Sequence, residues 1–145
     1  MTTIEHLNIT VPSIQEALKF INIVAKDFKV RFEGEYPTGR KWVHVGNDTF
    51  YIALQEPSIE DYKSRVQTYN NVGINHIGLV VQNIDEIDKE LMAEGYEKLD
   101  DFNHEEFRKR KYFLDGSGIE WELIEYLSEA PSQKFKYDEE EKKFL

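Results

Sequence analysis

The sequence predicts an α+β fold built from two tandem copies of one β-α-β-β-β unit, and three observations carry that expectation. Residues 4–21, IEHLNITVPSIQEALKFI, align without a gap on residues 74–91, INHIGLVVQNIDEIDKEL, with identities at Ile4/Ile74, His6/His76, Val11/Val81, Ile14/Ile84, Glu16/Glu86 and Lys19/Lys89. Each copy reads first as an alternating strand and then as a helix with a start signal. Each is followed by further β-type segments whose last members end alike, IALQEP at 52–57 and WELIEY at 121–126.

The elements follow in order. The first strand of copy one puts Leu7, Ile9 and Val11 on one face and His6, Asn8 and Thr10 on the other. Copy two puts Ile77, Leu79 and Val81 on one face and His76, Gly78 and Val80 opposite. Ser13 with Glu16 makes a capping box, and Asn83 with Glu86 imitates it. Ile14, Leu18, Ile21 and Ala25 then recur at helical spacing, as do Ile84, Ile87 and Leu91, and Gly95 stands where a C-cap glycine belongs. Strands are expected at 29–34, 41–46 and 50–55, and again at 96–102, 110–115 and 119–126. GND (46–48) and DGSG (115–118) are the turns that join the last two strands of each copy. The first module thus occupies 1–57 and the second 73–127. Between them lies a connector at 58–72 with at most a helical turn, and after them a Glu- and Lys-rich tail at 128–145, expected as a solvated helix or frayed end.

Composition narrows the function. A chain of 145 residues, 40% apolar and 13% aromatic, suits one compact domain or two small modules sharing a core. A net charge of −10 speaks against nucleic acid or an anionic membrane as partner, because phosphates repel such a surface. There is no cysteine, which excludes disulfides and thiolate metal sites. The opening MTTIEHLNITV has no basic region leading into an apolar run, so no secretory signal is expected. No apolar stretch approaches the ~18 residues needed to span a bilayer. A soluble, cytoplasmic protein is the expectation.

The repeat also points to a constellation. His6 and His76 occupy equivalent places on equivalent first strands, on the face away from the apolar residues. A lone strand histidine is more often a core or surface residue than a ligand, but two matched ones on the polar sides of matched strands need a reason. If the modules pair about a pseudo-two-fold axis, the two imidazoles meet across it. Glu122 lies on the last strand of the second module, and its counterpart in the first is Ala53. Two imidazoles and one carboxylate suit a divalent transition metal such as Fe, Ni, Zn, Mn or Co.

The runs HLNITVPSIQEALKF, HIGLVVQNIDEI and DGSGIEWELIE together resemble the vicinal oxygen chelate superfamily over about residues 4–127. That superfamily includes glyoxalase I, methylmalonyl-CoA epimerase, extradiol dioxygenases and bleomycin- or fosfomycin-resistance proteins. The closing run is similar to the family's D-P-D-G-N-x-x-E-L ending, with Glu122 at its metal-binding glutamate. The resemblance implies an eight-stranded, cup-shaped sheet around a metal held by His6, His76 and Glu122, with a substrate that chelates the metal through adjacent oxygens. It also implies that the modules pair either within one chain or across a homodimer.

One departure bears on the reaction. In glyoxalase I and the epimerase a fourth ligand, Glu or Gln, stands on the last strand of the first module, where this chain has Ala53. Gln55 shares that face ~6.5 Å further along and reaches a metal only through a shifted or bulged strand. Glu56 points to the other face. Three ligands are therefore the expectation. Isomerase or lyase chemistry then leaves Glu122 as the only carboxylate base. An extradiol-type dioxygenase fits the two-His, one-carboxylate pattern, with His44, Tyr51 and Tyr112 as candidate acid–base or substrate-binding groups. A non-catalytic protein that sequesters a drug, of the bleomycin-resistance type, is the alternative. Retention of His6, His76 and Glu122 speaks against it.

Overall fold

In the computed structural model, which describes residues 1–58, 62–63 and 69–136, ten of the eleven elements follow one plan twice. The first half contains β1 (His6–Thr10), α1 (Ile14–Val24), β2 (Lys29–Glu35), β3 (Lys41–Gly46) and β4 (Tyr51–Gln55). The second contains β5 (His76–Val80), α2 (Ile84–Ala93), β6 (Glu97–Phe102), β7 (Arg108–Leu114) and β8 (Glu120–Tyr126), followed by the short α3 (Pro131–Lys134). The strands form two four-stranded sheets, ordered β1-β4-β3-β2 and β5-β8-β7-β6, with the first pair parallel and the others antiparallel. Two compact units result, Met1–Asn71 with Asp115–Gly118, and Val72–Leu114 with Ile119–Leu145. The expected connector turn falls at 59–61 and 64–68, and the end of the tail at 137–145, outside the described residues. Among the described residues no helix is long and apolar enough to cross a membrane.

Alternation decides which face of each sheet is dry. In the first unit Val43, Val45, Ile52 and Leu54 are buried on the face toward α1, which packs over β3. The helix answers with Ala17, Phe20, Ile21 and Val24. Its buried stripe therefore runs along positions 17, 20, 21 and 24, and Ile14 and Leu18 lie half-buried at its margin rather than at its centre. In the second unit Ile77, Phe113, Trp121 and Leu123 meet Ile84, Ile87 and Leu91 of α2. Fully burying each such side chain contributes about 1.5–3 kcal/mol. The correspondence extends to one irregularity, a bulge in each outer strand, between Val30 and Phe32 in β2 and between Lys98 and Asp100 in β6.

The helix starts explain the repeated glutamates. Ser13 caps α1 by accepting from the Glu16 amide at 3.3 Å, as its sequence suggests. Glu56 adds a second acceptor, taking the Ile14 amide at 3.1 Å. Asn83 does not cap α2. It adopts the left-handed conformation (φ 59°), and its side chain makes no capping bond. Glu125 does the work instead, accepting from the Asn83 amide at 3.1 Å and the Ile84 amide at 3.3 Å. A carboxylate placed there satisfies orphan N–H groups and faces the positive end of the helix. At the other end Gly95, with φ 84°, closes α2 through bonds from the Tyr96 amide to Leu91 and from its own amide to Met92.

Candidate functional site

In the second unit the polar residues gather on the sheet face away from α2. Parallel pairing sets Gly78 beside Glu122 and antiparallel pairing sets Tyr112 beside Glu122, so alternation puts His76, Glu122, Tyr112 and Arg110 on that one face. His76 Nε2 lies 2.9 Å from Glu122 Oε2, with the imidazole 30% and the carboxylate 13% exposed. The His76 ring meets the Tyr112 ring edge-on at 5.6 Å. Burial, and then the hydrogen bond it makes with the charged Glu122, push the Tyr112 hydroxyl well above the usual phenol range, against the opposing pull of Arg110. The phenol therefore keeps its proton at neutral pH and serves as a donor.

Two residues beyond the expected ligand set, Glu105 and Arg110, complete this face. Glu105, on the loop before β7, is buried and pairs with both Arg108 and Arg110. Arg110 Nη1 in turn lies 3.5 Å from Glu122 Oε1 and 3.3 Å from the Tyr112 hydroxyl. The alternation of RKRK at 108–111 is a sequence signal for Arg110, since it places Arg108 and Arg110 together on the face of Tyr112. Nothing local marks Glu105, which acts from a loop.

The first unit uses the same face differently. Ala53 lies between Asn8 and His44, the register that Glu122 occupies between Gly78 and Tyr112. The repeat alignment is thus reproduced in three dimensions, and Ala53 is the counterpart of Glu122. Around it is a run of ring contacts, the first stacked and the next two tilted. His6 lies against Tyr51 (centroids 4.8 Å, interplanar angle 16°), Tyr51 against His44 (4.8 Å), and His44 against Trp42 (5.2 Å). His6 Nδ1–H donates to Glu5 at 2.6 Å. That is the outer partner a metal-binding imidazole commonly has, and it leaves Nε2 as the donor atom. Gln55 Nε2 donates to Thr10 Oγ1 at 3.3 Å. β4 keeps unbroken register from Tyr51 to Gln55 with both neighbours, without the bulge that would bring Gln55 forward.

The donor chemistry fits a divalent ion at the second-unit pair. Two ligands ~2.1 Å from one ion at a right angle stand ~3.0 Å apart, close to the spacing between His76 and Glu122. Among the described residues, no group of three or more His, Asp or Glu side chains is gathered as a metal cluster. The pair is the assembled part, and His6 is described within its own unit.

The family model of the Glyoxalase/Bleomycin resistance protein/Dioxygenase superfamily matches residues 5–114, and the chain belongs to that superfamily. Solved structures share its fold. The fosfomycin resistance protein FosX of Listeria monocytogenes, complexed with Mn(II) and sulfate, superposes with a TM-score of 0.68 at 18% identity, over 94% of this chain and 99% of that one. A glyoxalase family protein from Bacillus cereus gives 0.72 at 18% identity, covering 88% and 96%. A glyoxylase/bleomycin resistance protein/dioxygenase domain from Frankia gives 0.72 at 17% identity, covering 92% and 97%. No curated protein matches the sequence. The family match ends before β8, so the place given to Glu122 rests on its register and on the repeat.

Proposed function

We propose that the protein is a divalent-metal-dependent enzyme of this superfamily, acting on a small oxygenated substrate that chelates the metal, with His6, His76 and Glu122 as the protein ligands. The observation that carries the reading is the 2.9 Å approach of His76 Nε2 to Glu122 Oε2 on adjacent strands. The chemistry of the donors supports Fe, Ni, Zn, Mn or Co, and FosX, a relative in fold, was solved with Mn(II). A bound ion supplies Lewis acidity toward a substrate oxygen or a place for dioxygen.

The chain's own groups do the rest. Glu122 is the carboxylate of the ligand set and hence the proposed base where the reaction moves a proton beside a carbonyl. Tyr112, held protonated, donates toward it and steadies its charge. Tyr51, stacked on His6, and His44, tilted against Tyr51, offer a ring surface for the substrate. Ala53 supplies no fourth donor, which favours a site with more open positions than that of glyoxalase I. Isomerase or lyase chemistry and extradiol-type oxygenation both use such openings.

The test begins with protein purified without chelator, in which bound metal is measured for wild type, His6→Ala, His76→Ala and Glu122→Gln. The reading expects metal in the wild type and its loss in all three variants. Equal, negligible metal in every sample sinks it. Anaerobic reconstitution with Fe(II) and with Ni(II), followed by oxygen uptake on catechols and isomerisation of hemithioacetals, separates the reaction classes. Tight binding of a hydrophobic drug by apo-protein with neither activity would favour sequestration. Sedimentation of the metal-loaded protein decides between a monomer and a homodimer.

A further inference from the structure

Glu105 is a buried carboxylate, its side chain 4% exposed, that the ligand set does not use. It receives Arg110 through Nε at 2.7 Å and through a terminal nitrogen as well, so the guanidinium is gripped by two of its donors. The Phe102 ring lies under the same guanidinium, 4.9 Å from centroid to Cζ. A planar fork held along one edge and across one face has little freedom left. Its remaining terminal nitrogen reaches the Tyr112 hydroxyl at 3.3 Å and Glu122 Oε1 at 3.5 Å. The other oxygen of Glu122, Oε2, faces His76. The two oxygens of one carboxylate are thus directed to different partners.

We infer that Arg110, locked by Glu105, is a positioning residue that engages Oε1 of Glu122 and leaves Oε2, the oxygen facing His76, as the single donor to a divalent ion. The inference rests on the metal reading above. A carboxylate free to turn takes two coordination positions by binding through both oxygens. A tethered one takes one. With two imidazoles and one such oxygen, a six-coordinate ion keeps three open positions, enough for a substrate that binds through two adjacent oxygens and one further small ligand. Arg110 thereby sets how much of the coordination sphere is open, although it touches neither ion nor substrate.

Mn(II) alone is the probe, because its effect on water-proton relaxation counts the waters on the bound ion. Arg110→Met, made together with Tyr112→Phe so that neither donor holds the carboxylate, lets Oε1 displace one of three waters, and relaxivity per bound Mn(II) falls by about one third for a six-coordinate ion, while Tyr112→Phe alone leaves it unchanged. Glu105→Gln keeps the side-chain volume but loosens the grip, and it shifts relaxivity in the same direction. Arg110→Lys leaves a cation beside Glu122 and returns relaxivity toward the wild-type value, which a mere packing role does not predict. Unchanged relaxivity in both the Arg110→Met, Tyr112→Phe double variant and Glu105→Gln, with binding abolished in Glu122→Gln, overturns the positioning role and leaves the metal reading intact. Absence of Mn(II) binding in the wild type overturns both.

Discussion

Glu122 and Glu125 stand on opposite faces of β8, one beside His76 and the other at the start of α2, so replacing them should damage different properties. Glu125→Ala removes both acceptors for the Asn83 and Ile84 amides. Nothing local replaces them, because the Asn83 side chain makes no capping bond. Losing a side-chain cap costs about 0.5–2 kcal/mol, and losing a negative charge at a helix N-terminus costs a further ~0.3–1 kcal/mol. Two amides are orphaned here, one exposed and one partly buried, so the expected loss is ~2 kcal/mol. At ~3 °C per kcal/mol for a chain of this size, Tm falls by ~6 °C. Glu125→Gln keeps an acceptor but no charge and should lose about half as much. Glu56→Ala should cost ~1 kcal/mol, less than Glu125→Ala, because Ser13 still caps the Glu16 amide of α1. Urea unfolding followed by circular dichroism reads all three, with bound metal measured in parallel and expected to be unchanged. A loss below ~0.5 kcal/mol in Glu125→Ala, or one no greater than in Glu56→Ala, refutes the capping argument.

The remaining predictions concern the site and the ions beneath α2. His76→Ala and Glu122→Gln should weaken metal binding by more than the ~10–100-fold that loss of an outer partner costs, as read by competition with a chelating dye. Lys111, its side chain 5% exposed, is held by Asp88 at 2.7 Å, Asp85 at 3.1 Å and Asp101 at 3.3 Å. Lys111→Met strands the half-buried Asp88 with Lys98 as its remaining cation and should cost ~2–3 kcal/mol in urea unfolding. Burial pushes the Asp88 carboxyl up, but the hydrogen bonds from Lys111 and Lys98 outweigh it and hold the group below its ordinary value of 3.8. The folded state thus takes that proton later than the unfolded chain does, so the contribution is present above pH 3.8 and is lost as pH falls through the lower folded value. Urea midpoints at about pH 5 and about pH 3 should therefore converge in Asp88→Asn relative to wild type. Ala53→Glu puts an acid at a buried position beside His44 and should cost apo-protein ~1–3 kcal/mol. Added metal should then raise Tm more than it does in wild type, and an equal rise would count against Ala53 standing at a ligand position.

The sequence was most legible where physics acts over a few neighbouring residues. Two-residue alternation placed His6, His76 and Glu122 on the faces they occupy, and the ungapped repeat paired Ala53 with Glu122, as the sheet registers do. Trp121, whose alternation opposes Glu122, is buried in the core as that pattern requires. Legibility failed where a partner comes from a distant part of the chain. Asn83 has the right chemistry for a helix cap, yet the cap comes from Glu125, 42 residues away in sequence, and Asn83 is free to take a left-handed conformation. Glu105 has no periodic neighbour to announce it, and its role depends on two arginines presented by a strand. The stripe of α1 shifted for a related reason, since the sheet rather than the helix decides which angular sector is covered.

The two modules have drifted in a correlated way, and the correlation bears on chemistry. In the second, the positions facing outward from the central strands are Arg110, Tyr112 and Glu122; in the first, the matching positions are Trp42, His44 and Ala53. A charged, hydrogen-bonded face thus stands where its counterpart is a run of ring contacts from His6 to Trp42. Arg110 and Tyr112 are useful beside a carboxylate because they balance and orient its charge. With Ala53 in place of that carboxylate, Arg110 would keep its pairing with Glu105, but the half-buried Tyr112 hydroxyl would lose its charged acceptor and carry more of its burial cost. The rings of Trp42, His44 and Tyr51 bury mostly apolar area, with a polar group only at the edge, and can pack beside a small side chain. One difference at the position shared by Ala53 and Glu122 therefore goes with a difference in its neighbours, a charged, hydrogen-bonded face in one module and a ring-lined face in the other.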